Sequence, residues 1–233
     1  MISVLKWDSD FFGIVIANIP NEHIFEPRTL TEFADRNAVQ FIQCLSKVDN
    51  LAFISHLENL NFHFADLKVT FEAPLVNSND VDSLTICTHQ DFINLKSMLN
   101  DLFIDSRYYG YEKLFPKSKL NEFYQTWVEN AINKTFDDYC LIYKINHEIA
   151  GFVTVKEFDS IKKARIGLIG VSPLFQRKGI ASLILRDLKC NLGKKGFNVL
   201  EVSTQGKNYA AQNLYAKNGF RIVEMQSWYY WIK

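Results

Sequence analysis

The sequence predicts a mixed α/β protein, an α+β fold with a mixed sheet, in which a smaller unit precedes a larger one. Short runs of alternating apolar residues recur between longer runs with helical spacing. The stretch PLVNSNDVDS at 74–83 has the composition of a loop and interrupts this pattern. We therefore expect a truncated α/β domain at 1–80 and a second α/β domain at 81–233. A hydrophobic content of 48% suffices for buried cores.

The elements of the first unit follow from residue spacing. Alternation, as in Leu67, Val69 and Phe71, predicts a strand, whereas the spacing of Leu51 and Ile54 predicts a helix. In chain order we expect strands at 2–7 and 14–19, a helix at 29–38, a strand at 41–48, a helix at 51–60 and a strand at 65–73. The segment 57–62 echoes the segment 214–220, as expected if the first unit is a degenerate copy of the second without its phosphate-loop glycines.

The second unit continues the same alternation over a longer stretch. Asn146 and His147 have the spacing of a two-residue hairpin turn between the strands at 139–145 and 148–158. In order we expect a strand at 84–87, a helix whose cap lies at 89–91, a loop at 105–116, a helix at 119–133, strands at 139–145, 148–158 and 164–171, a helix at 179–192, a strand at 199–203, a helix at 208–217 and the last strands within 220–232.

Composition excludes several classes of function. The 26 Lys and Arg residues balance the 26 Asp and Glu residues, so no overall field favours nucleic acid. No apolar run is long enough for a membrane span, and the N-terminus has no signal-peptide core. We expect a cytoplasmic protein without nucleic-acid, membrane or metal partners, and the choice between monomer and homodimer stays open. The four cysteines lie far apart in sequence, and we expect reduced, mostly buried thiols: Cys44, Cys87, Cys140 and Cys190.

A candidate anion site lies where a strand leads through a turn at Pro173 into an apolar helix. The first amides of a helix lack internal partners, and the helix dipole is positive there, so main-chain groups can bind a pyrophosphate. Because Gly179 and Ala181 have little or no side chain, they leave that backbone accessible to a ligand. The alternative is an ordinary strand-to-helix turn with solvated Arg177 and Lys178.

This segment resembles the GNAT superfamily of N-acetyltransferases. The family motif Q/R-x-x-G-x-G/A is matched by Gln176, Arg177, Lys178, Gly179, Ile180 and Ala181. The resemblance implies a GNAT fold, with acetyl-CoA as cosubstrate and its pyrophosphate on the loop amides. It also implies that the preceding strand pairs with the pantetheine arm and polarises the thioester carbonyl, through Leu168, Ile169 and Val171.

A second segment, 201–220, looks like the GNAT pattern N-x-x-A-x-x-x-Y-x-x-x-G-F. Its spacing has a mechanical reason, because Asn208 caps a helix, Ala211 and Tyr215 share one helical face, and Gly219 ends the helix. The resemblance implies that Asn208 binds the cofactor arm and that Tyr215 lies by the thioester sulfur. A phenol there donates a proton or hydrogen bond to the leaving thiolate. The alternative for Tyr215 is a core aromatic.

The general base stays open at this stage. A lysine-like amine has a pKa about three units above neutrality, which costs about 4 kcal/mol, whereas an amine of pKa about 8 costs only about 1.4 kcal/mol. A carboxylate acting through water is sufficient for the second amine. Glu157 and Glu201 are candidates on strands, but each is more typical of a surface or salt-bridged residue, so neither is assigned.

Further segments narrow the resemblance to one branch of the family. They are LKWDSDFFG at 5–13, DSRY at 105–108, FYQTWVENA at 123–131 and TFD at 135–137. Together they look like the TDP-fucosamine acetyltransferases, over most of the chain. That resemblance implies acetylation of the 4-amino group of a dTDP-linked 4-amino-4,6-dideoxyhexose for surface polysaccharide. It also implies a truncated N-terminal domain before the GNAT domain.

The resemblance also implies that the loop at 105–108 forms the acceptor site, because the GNAT fold shapes its acceptor pocket between the two helices that follow its first strand. Arg107 has the geometry to pair bidentately with a nucleotide diphosphate, and Tyr108 to stack on thymine. A surface role for Arg107 is the alternative. For Trp7, Phe11 and Phe12 we favour packing between the domains.

Three functions remain open at the sequence level. They are a nucleotide-sugar N-acetyltransferase, a GNAT enzyme acting on an antibiotic, polyamine or protein N-terminus, and a catalytically silent acyl-CoA-binding module. The presence of Tyr215 argues against the silent module. The sugar epimer and the position of its amino group are not determined by the sequence.

Overall fold

The computed structural model describes residues 2–20, 22–76, 83–103 and 106–233. Its helices are α1 (Lys6–Phe12), α2 (Pro27–Arg36), α3 (Leu51–Asn59), α4 (His89–Met98), α5 (Lys117–Ile132), α6 (Ile180–Lys194) and α7 (Tyr209–Lys217). Its strands are β1 (Ser3–Val4), β2 (Ile16–Ile19), β3 (Phe41–Lys47), β4 (His63–Pro74), β5 (Thr85–Ile86), β6 (Tyr139–Ile145), β7 (Glu148–Phe158), β8 (Lys163–Val171), β9 (Val199–Gln205) and β10 (Arg221–Ile232). The predicted mixed α/β class is confirmed.

One mixed sheet joins these strands in the order β1-β2-β3-β10-β4-β9-β8-β7-β6-β5. The two halves of the chain exchange their last strands, since β10 pairs with β3 and β4 pairs with β9. Tyr229 of β10 is therefore buried with Ile42 and Phe53 in the N-terminal core. Val69 and Phe71 of β4 are buried in the C-terminal core instead. Each half contributes a strand to the core of the other.

The predicted domain division falls near residue 80, and residues 77–82 lie outside the described residues. The division into 1–80 and 81–233 stays a prediction. The arrangement β2-α2-β3-α3-β4 does repeat as β8-α6-β9-α7-β10. Asn50 caps α3 by accepting from the Phe53 amide, and Asn208 caps α7 by accepting from the Ala211 amide. These shared caps agree with the sequence echo.

The predicted strand at 2–7 is wrong in its second half, where the chain forms α1. Ser9 Oγ donates to the Leu5 carbonyl over 2.7 Å and accepts from the Ile16 amide over 2.9 Å, which ties this helix to β2. Gly13 then ends the helix at φ 73, in the left-handed region that glycine adopts readily. Tertiary contacts therefore outweigh the apolar alternation of a short segment.

Most other element predictions are confirmed to within a few residues. Asn146 and His147 both have positive φ, 49° and 68°, as a type I′ hairpin turn requires. The cap of α4 is Thr88 rather than a residue at 89–91, because Thr88 and Asp91 form a reciprocal capping box. The end of the chain forms one long strand, β10, with two register shifts. Within the described ranges, no helix is both long and apolar enough to cross a membrane.

Candidate functional site

A cleft of about 1140 Å³ opens where β8 and β9 separate. Its walls come from these two strands, α7, α1 and the loop between α4 and α5. A smaller cavity of about 240 Å³ shares Val171, Ala181 and Leu214 with it and reaches the start of α6. Of the site residues predicted from sequence, all line one of these two spaces except Lys178.

The cleft exists because β8 and β9 pair over only part of their length. Their parallel register runs from Lys163 to Ile166 of β8, after which the strands diverge. Beyond that point, among the described strands, Ile169 and Val171 pair with β7 alone. The opposite backbone edge of β8 therefore faces the cleft, which Leu168, Ile169 and Val171 line. An extended ligand arm can hydrogen-bond to this edge as an added strand would.

A bulge in β8 lies at the point of divergence. Gly167 and Leu168 together stand opposite Thr154 of β7. The Leu168 amide donates to Thr154 Oγ1 over 2.8 Å, and that hydroxyl donates to Asp137 Oδ2 over 2.7 Å. Trp127 Nε1 donates to the same carboxylate oxygen over 2.9 Å. A Cβ at position 167 would lie 2.0 Å from this oxygen, so only glycine fits. This buried network fixes the backbone of β8 where the cleft begins.

The start of α6 has the properties of the predicted anion site. Gly179 is the N-cap at φ 79, and no atom lies within 4 Å of the position its Cβ would occupy. In the described chain, the amides of residues 179–182 donate to no backbone oxygen. The first backbone bond of this helix runs from the Leu183 amide to the Gly179 carbonyl. These amides face open space at the positive end of the helix, so they fit a pyrophosphate.

The side chains of this loop have different orientations. Gln176 Nε2 donates to the Val171 carbonyl over 3.2 Å, which holds the loop against the end of β8. Lys178 Nζ turns back to the Leu174 carbonyl at 3.0 Å, and its side chain lines neither cavity. Arg177 has a positive φ of 61° and borders the smaller cavity together with Ile180 and Ala181.

Asn208 begins α7 at the cleft, as its predicted capping role requires. Its Oδ1 accepts from the Ala211 amide over 3.0 Å, and the side chain lines the cleft. Within the described chain its Nδ2 group has no hydrogen-bond acceptor, so it can donate to a ligand. At the other end of α7, Gly219 has φ 81, in agreement with the predicted helix stop.

Tyr215 projects from α7 into the cleft wall. Its ring is 3% exposed and packs on Phe71 and Phe220, with centroid distances of 5.5 and 5.7 Å. No described residue forms a hydrogen bond with the Tyr215 hydroxyl. The hydroxyl oxygen is not fully buried, and Tyr215 lines the cleft, so the hydroxyl faces the cleft. Burial raises the pKa of the Tyr215 phenol well above its ordinary value. The hydroxyl is therefore protonated at neutral pH and can act as a donor.

Arg107 forms a positively charged part of the cleft wall. Its guanidinium lies between the rings of Tyr108 and Trp228, 4.1 and 4.0 Å from their centroids. It donates to the Tyr230 hydroxyl over 2.7 Å and to the Tyr108 hydroxyl. In the described part of the chain no carboxylate lies within salt-bridge distance of it. The charge of Arg107 is thus available to an anionic ligand.

The aromatic residues near Arg107 differ in exposure. Tyr108 borders the cleft but is only 5% exposed, because its ring packs on Phe12 and Phe115. Phe12 has the role of packing between the two halves that was expected of it. Trp7 is 49% exposed, stacks on Phe11 at 5.2 Å and lines the cleft, so it offers a larger free aromatic face than Tyr108 does. Asp105, at the start of this loop segment, lies outside the described residues.

The two carboxylates considered as bases both have cationic partners. Glu157 Oε1 lies 2.9 Å from Lys195 Nζ and accepts from the Tyr139 hydroxyl. Glu201 borders the cleft, but its Oε2 lies 2.5 Å from Lys163 Nζ. These contacts agree with the salt-bridged roles expected from the sequence.

Asp8 is a cleft residue that the sequence did not single out. It lies in the first turn of α1 beside Trp7 and is partly buried in the cleft wall. Burial raises the pKa of its carboxyl, while its own backbone amide and the charge of Arg107 oppose that rise. Apart from that amide, no described residue lies within hydrogen-bond or salt-bridge distance of the carboxylate. The sequence pattern did not predict the helix that carries Asp8, so its position was not foreseen.

All four cysteines are buried and lie outside any disulfide, as expected. Across the described ranges, no group of three His, Cys, Asp or Glu side chains is placed to hold a metal ion.

Comparison with known proteins places the fold and the reaction class. The model of the acetyltransferase (GNAT) family matches residues 98–220. A dTDP-fucosamine acetyltransferase of Escherichia coli O6:H1 (strain CFT073) is 25% identical over 233 residues, which is 98% of this chain and 97% of that protein. A GCN5-related N-acetyltransferase from Sphaerobacter thermophilus superposes with a TM-score of 0.64 at 12% identity, over 99% of this chain and 76% of the other. A GNAT-family acetyltransferase from Colwellia psychrerythraea superposes with a TM-score of 0.57 at 16% identity, over 89% of this chain and 72% of the other.

Proposed function

As the chain belongs to the GNAT family of acetyl-CoA-dependent N-acetyltransferases, we propose that its acceptor is the amine of a nucleotide-activated amino sugar of the dTDP-4-amino-4,6-dideoxyhexose type. One observation carries this proposal. The similarity to a dTDP-fucosamine acetyltransferase extends over 98% of the chain and so includes the N-terminal half, which supplies Trp7 and Asp8 to the cleft wall.

For acetyl-CoA we propose a path along the two adjoining cavities. The amides of 179–182 bind the pyrophosphate, with Gln176, Arg177, Lys178, Ile180 and Ala181 forming the surrounding loop. The pantetheine arm pairs with the free edge of β8 at Leu168, Ile169 and Val171, and Asn208 Nδ2 donates to it from the opposite wall. The open backbone at Gly179 and the unpaired amides support this assignment.

For the transfer step we propose direct attack within a ternary complex. The acceptor amine forms a bond to the thioester carbonyl carbon while the bond from that carbon to sulfur breaks. Negative charge appears on sulfur, and the Tyr215 hydroxyl donates a hydrogen bond to it. The amine attacks in its neutral form, so a bound ammonium group first releases one proton to water; a second proton leaves to water as the amide forms, and the CoA thiolate takes up a proton from solvent. Burial keeps Tyr215 protonated, which supports a donor role and argues against a role as base.

For the acceptor we propose that Arg107 pairs with the nucleotide diphosphate. Its planar guanidinium is fixed by two aromatic rings and two hydroxyl groups, so little conformational entropy is lost on binding. An aromatic side chain then stacks on the base; Tyr108 is the residue predicted from sequence, and Trp7 has the larger free face.

A thiol-release screen tests the acceptor directly. Purified protein and acetyl-CoA are mixed with dTDP- and UDP-linked amino sugars, aminoglycosides, polyamines and short peptides. We expect acceptor-dependent thiol release with dTDP-linked 4-amino sugars at a kcat/KM at least tenfold above that of any other class. Release with another amine only would refute the substrate assignment, and release with none of them would favour a silent binding module.

A further inference from the structure

We propose that Asp8 binds the amino group of the acceptor, as the negative half of a site whose positive half is Arg107. This inference rests on the proposed function and deepens it, because it makes the cleft specific for an acceptor that carries both a cationic amine and an anionic diphosphate. Neither the motifs nor the similarity to known acetyltransferases assigns a role to Asp8.

The position of Asp8 is the first argument. It lies in α1, on the wall that the N-terminal half contributes to the cleft, next to the exposed Trp7. Arg107 is near enough for its charge to act on the Asp8 carboxyl, yet the two do not form a salt bridge. Two opposite charges thus line the same cleft without neutralising each other.

The lack of a cationic partner among the described residues is the second argument. A partly buried carboxylate loses hydration, and it costs stability unless a cation or hydrogen-bond donor replaces the water. Within the described chain, the donor that Asp8 has is its own backbone amide. A carboxylate of this kind is typical of a ligand-binding position, where the bound molecule supplies the missing partner.

The two carboxylates considered as bases, Glu157 and Glu201, and the two buried carboxylates Asp66 and Asp137 provide a contrast with Asp8. Each has a cation within 4 Å in the folded chain: Lys195 at 2.9 Å for Glu157, Lys163 at 2.5 Å for Glu201, Lys207 at 3.8 Å for Asp66 and Arg165 at 3.9 Å for Asp137. Asp8 differs from them because no cation among the described residues lies within salt-bridge distance of it. An acceptor amine, which is protonated near neutral pH, has the chemistry to fill that place.

The test compares Asp8→Asn with Asp10→Asn, a matched change in the same helix at an exposed position. With a dTDP-4-amino-4,6-dideoxyhexose as acceptor, we expect Asp8→Asn to lower kcat/KM by about 10- to 100-fold, because a hydrogen bond to a charged group is lost. The KM for acetyl-CoA should change less than twofold. The melting temperature should stay equal or rise, since an unpaired charge is removed. Asp10→Asn should match the wild type in all three measurements.

A second measurement separates amine binding from a general effect on the site. The analogue with a hydroxyl in place of the amine, a dTDP-6-deoxyhexose, is used as a competitive inhibitor. We expect its inhibition constant to be the same for wild type and Asp8→Asn. An equal loss for the analogue and the amino sugar would overturn the assignment, as would an unchanged kcat/KM or a fall in melting temperature that accounts for the loss. If the wild-type protein acetylates no nucleotide amino sugar, the proposed function fails, and Asp8→Asn is then compared on the amine that is accepted.

Discussion

Replacing Tyr215 by Phe isolates the contribution of one hydroxyl to acetyl transfer. The ring packs on Phe71 and Phe220, and a phenylalanine ring preserves those contacts. The hydroxyl has no hydrogen-bond partner in the described chain, so its removal leaves no buried group unsatisfied. We therefore expect the free energy of unfolding to change by less than about 1 kcal/mol.

The expected loss of rate follows from the environment of the phenol. Burial raises its pKa, which makes full proton transfer to a thiolate unfavourable and leaves donation of a hydrogen bond as its main contribution. A hydrogen bond to a charged group contributes about 1.5–3 kcal/mol, which corresponds to a decrease in turnover of about 10- to 150-fold. That decrease overlaps only the lower end of the range for general-acid catalysis, about 10²- to 10⁴-fold. Acetyl-CoA affinity should change little, because the charge appears only during transfer.

Single-turnover acetyl transfer to the amino-sugar acceptor measures this step without product release. Calorimetry with acetyl-CoA measures ground-state binding, and circular dichroism confirms the fold. Tyr209→Phe is the matched control, because Tyr209 lies on the same helix and is 73% exposed. An unchanged single-turnover rate in folded Tyr215→Phe would return Tyr215 to a packing role. A rate loss matched by an equal loss of acetyl-CoA affinity would contradict the transition-state argument.

Three further changes test other parts of the site. Gly179→Ala and Gly179→Glu should both lower the free energy of unfolding by about 1 kcal/mol, because each places a side chain on a left-handed residue. Calorimetry should show at least tenfold weaker acetyl-CoA binding for Gly179→Glu only. Equal acetyl-CoA affinity in the two variants would mean that the loop is misassigned. Arg107→Lys should raise the acceptor KM about tenfold or more, because it loses the bidentate fork, and an unchanged acceptor KM would remove Arg107 from the site. Thr154→Val removes a hydrogen-bond partner of both the Leu168 amide and the Asp137 carboxylate, so the melting temperature should fall by about 2–12 °C. An unchanged melting temperature would show that this network does not hold the bulge.

Helices and strands with a strong hydrophobic periodicity and clear start or stop residues were predictable from the sequence. The helix start at Gly179 and the cap at Asn208 depend on local spacing, so the structure has them where the motifs require. The pairing of β10 with both β3 and β4 was not predictable, because alternation identifies a strand but not its neighbours. The strand exchange between the halves therefore emerged only from the tertiary structure.

The site shows the same division between local and long-range information. Main-chain features of the anion site follow from a glycine and a helix start. The wall formed by Trp7 and Asp8 depends instead on helix α1, which the sequence pattern did not predict. The environment of Arg107 depends on Trp228 and Tyr230, which are over one hundred residues away in sequence and reach it through β10. A charged residue in a motif can be identified from sequence, but its partners in space cannot.

Initial rates with both substrates varied test the central claim most directly, namely that one cleft binds acetyl-CoA and a nucleotide amino sugar together for direct transfer. Thiol release is measured over a grid of acetyl-CoA and dTDP-4-amino-4,6-dideoxyhexose concentrations, and mass spectrometry locates the acetyl group in the product. We predict intersecting double-reciprocal lines and a product acetylated on the sugar amine. Parallel lines with an acetylated protein intermediate, or thiol release that does not depend on the amino sugar, would contradict the account.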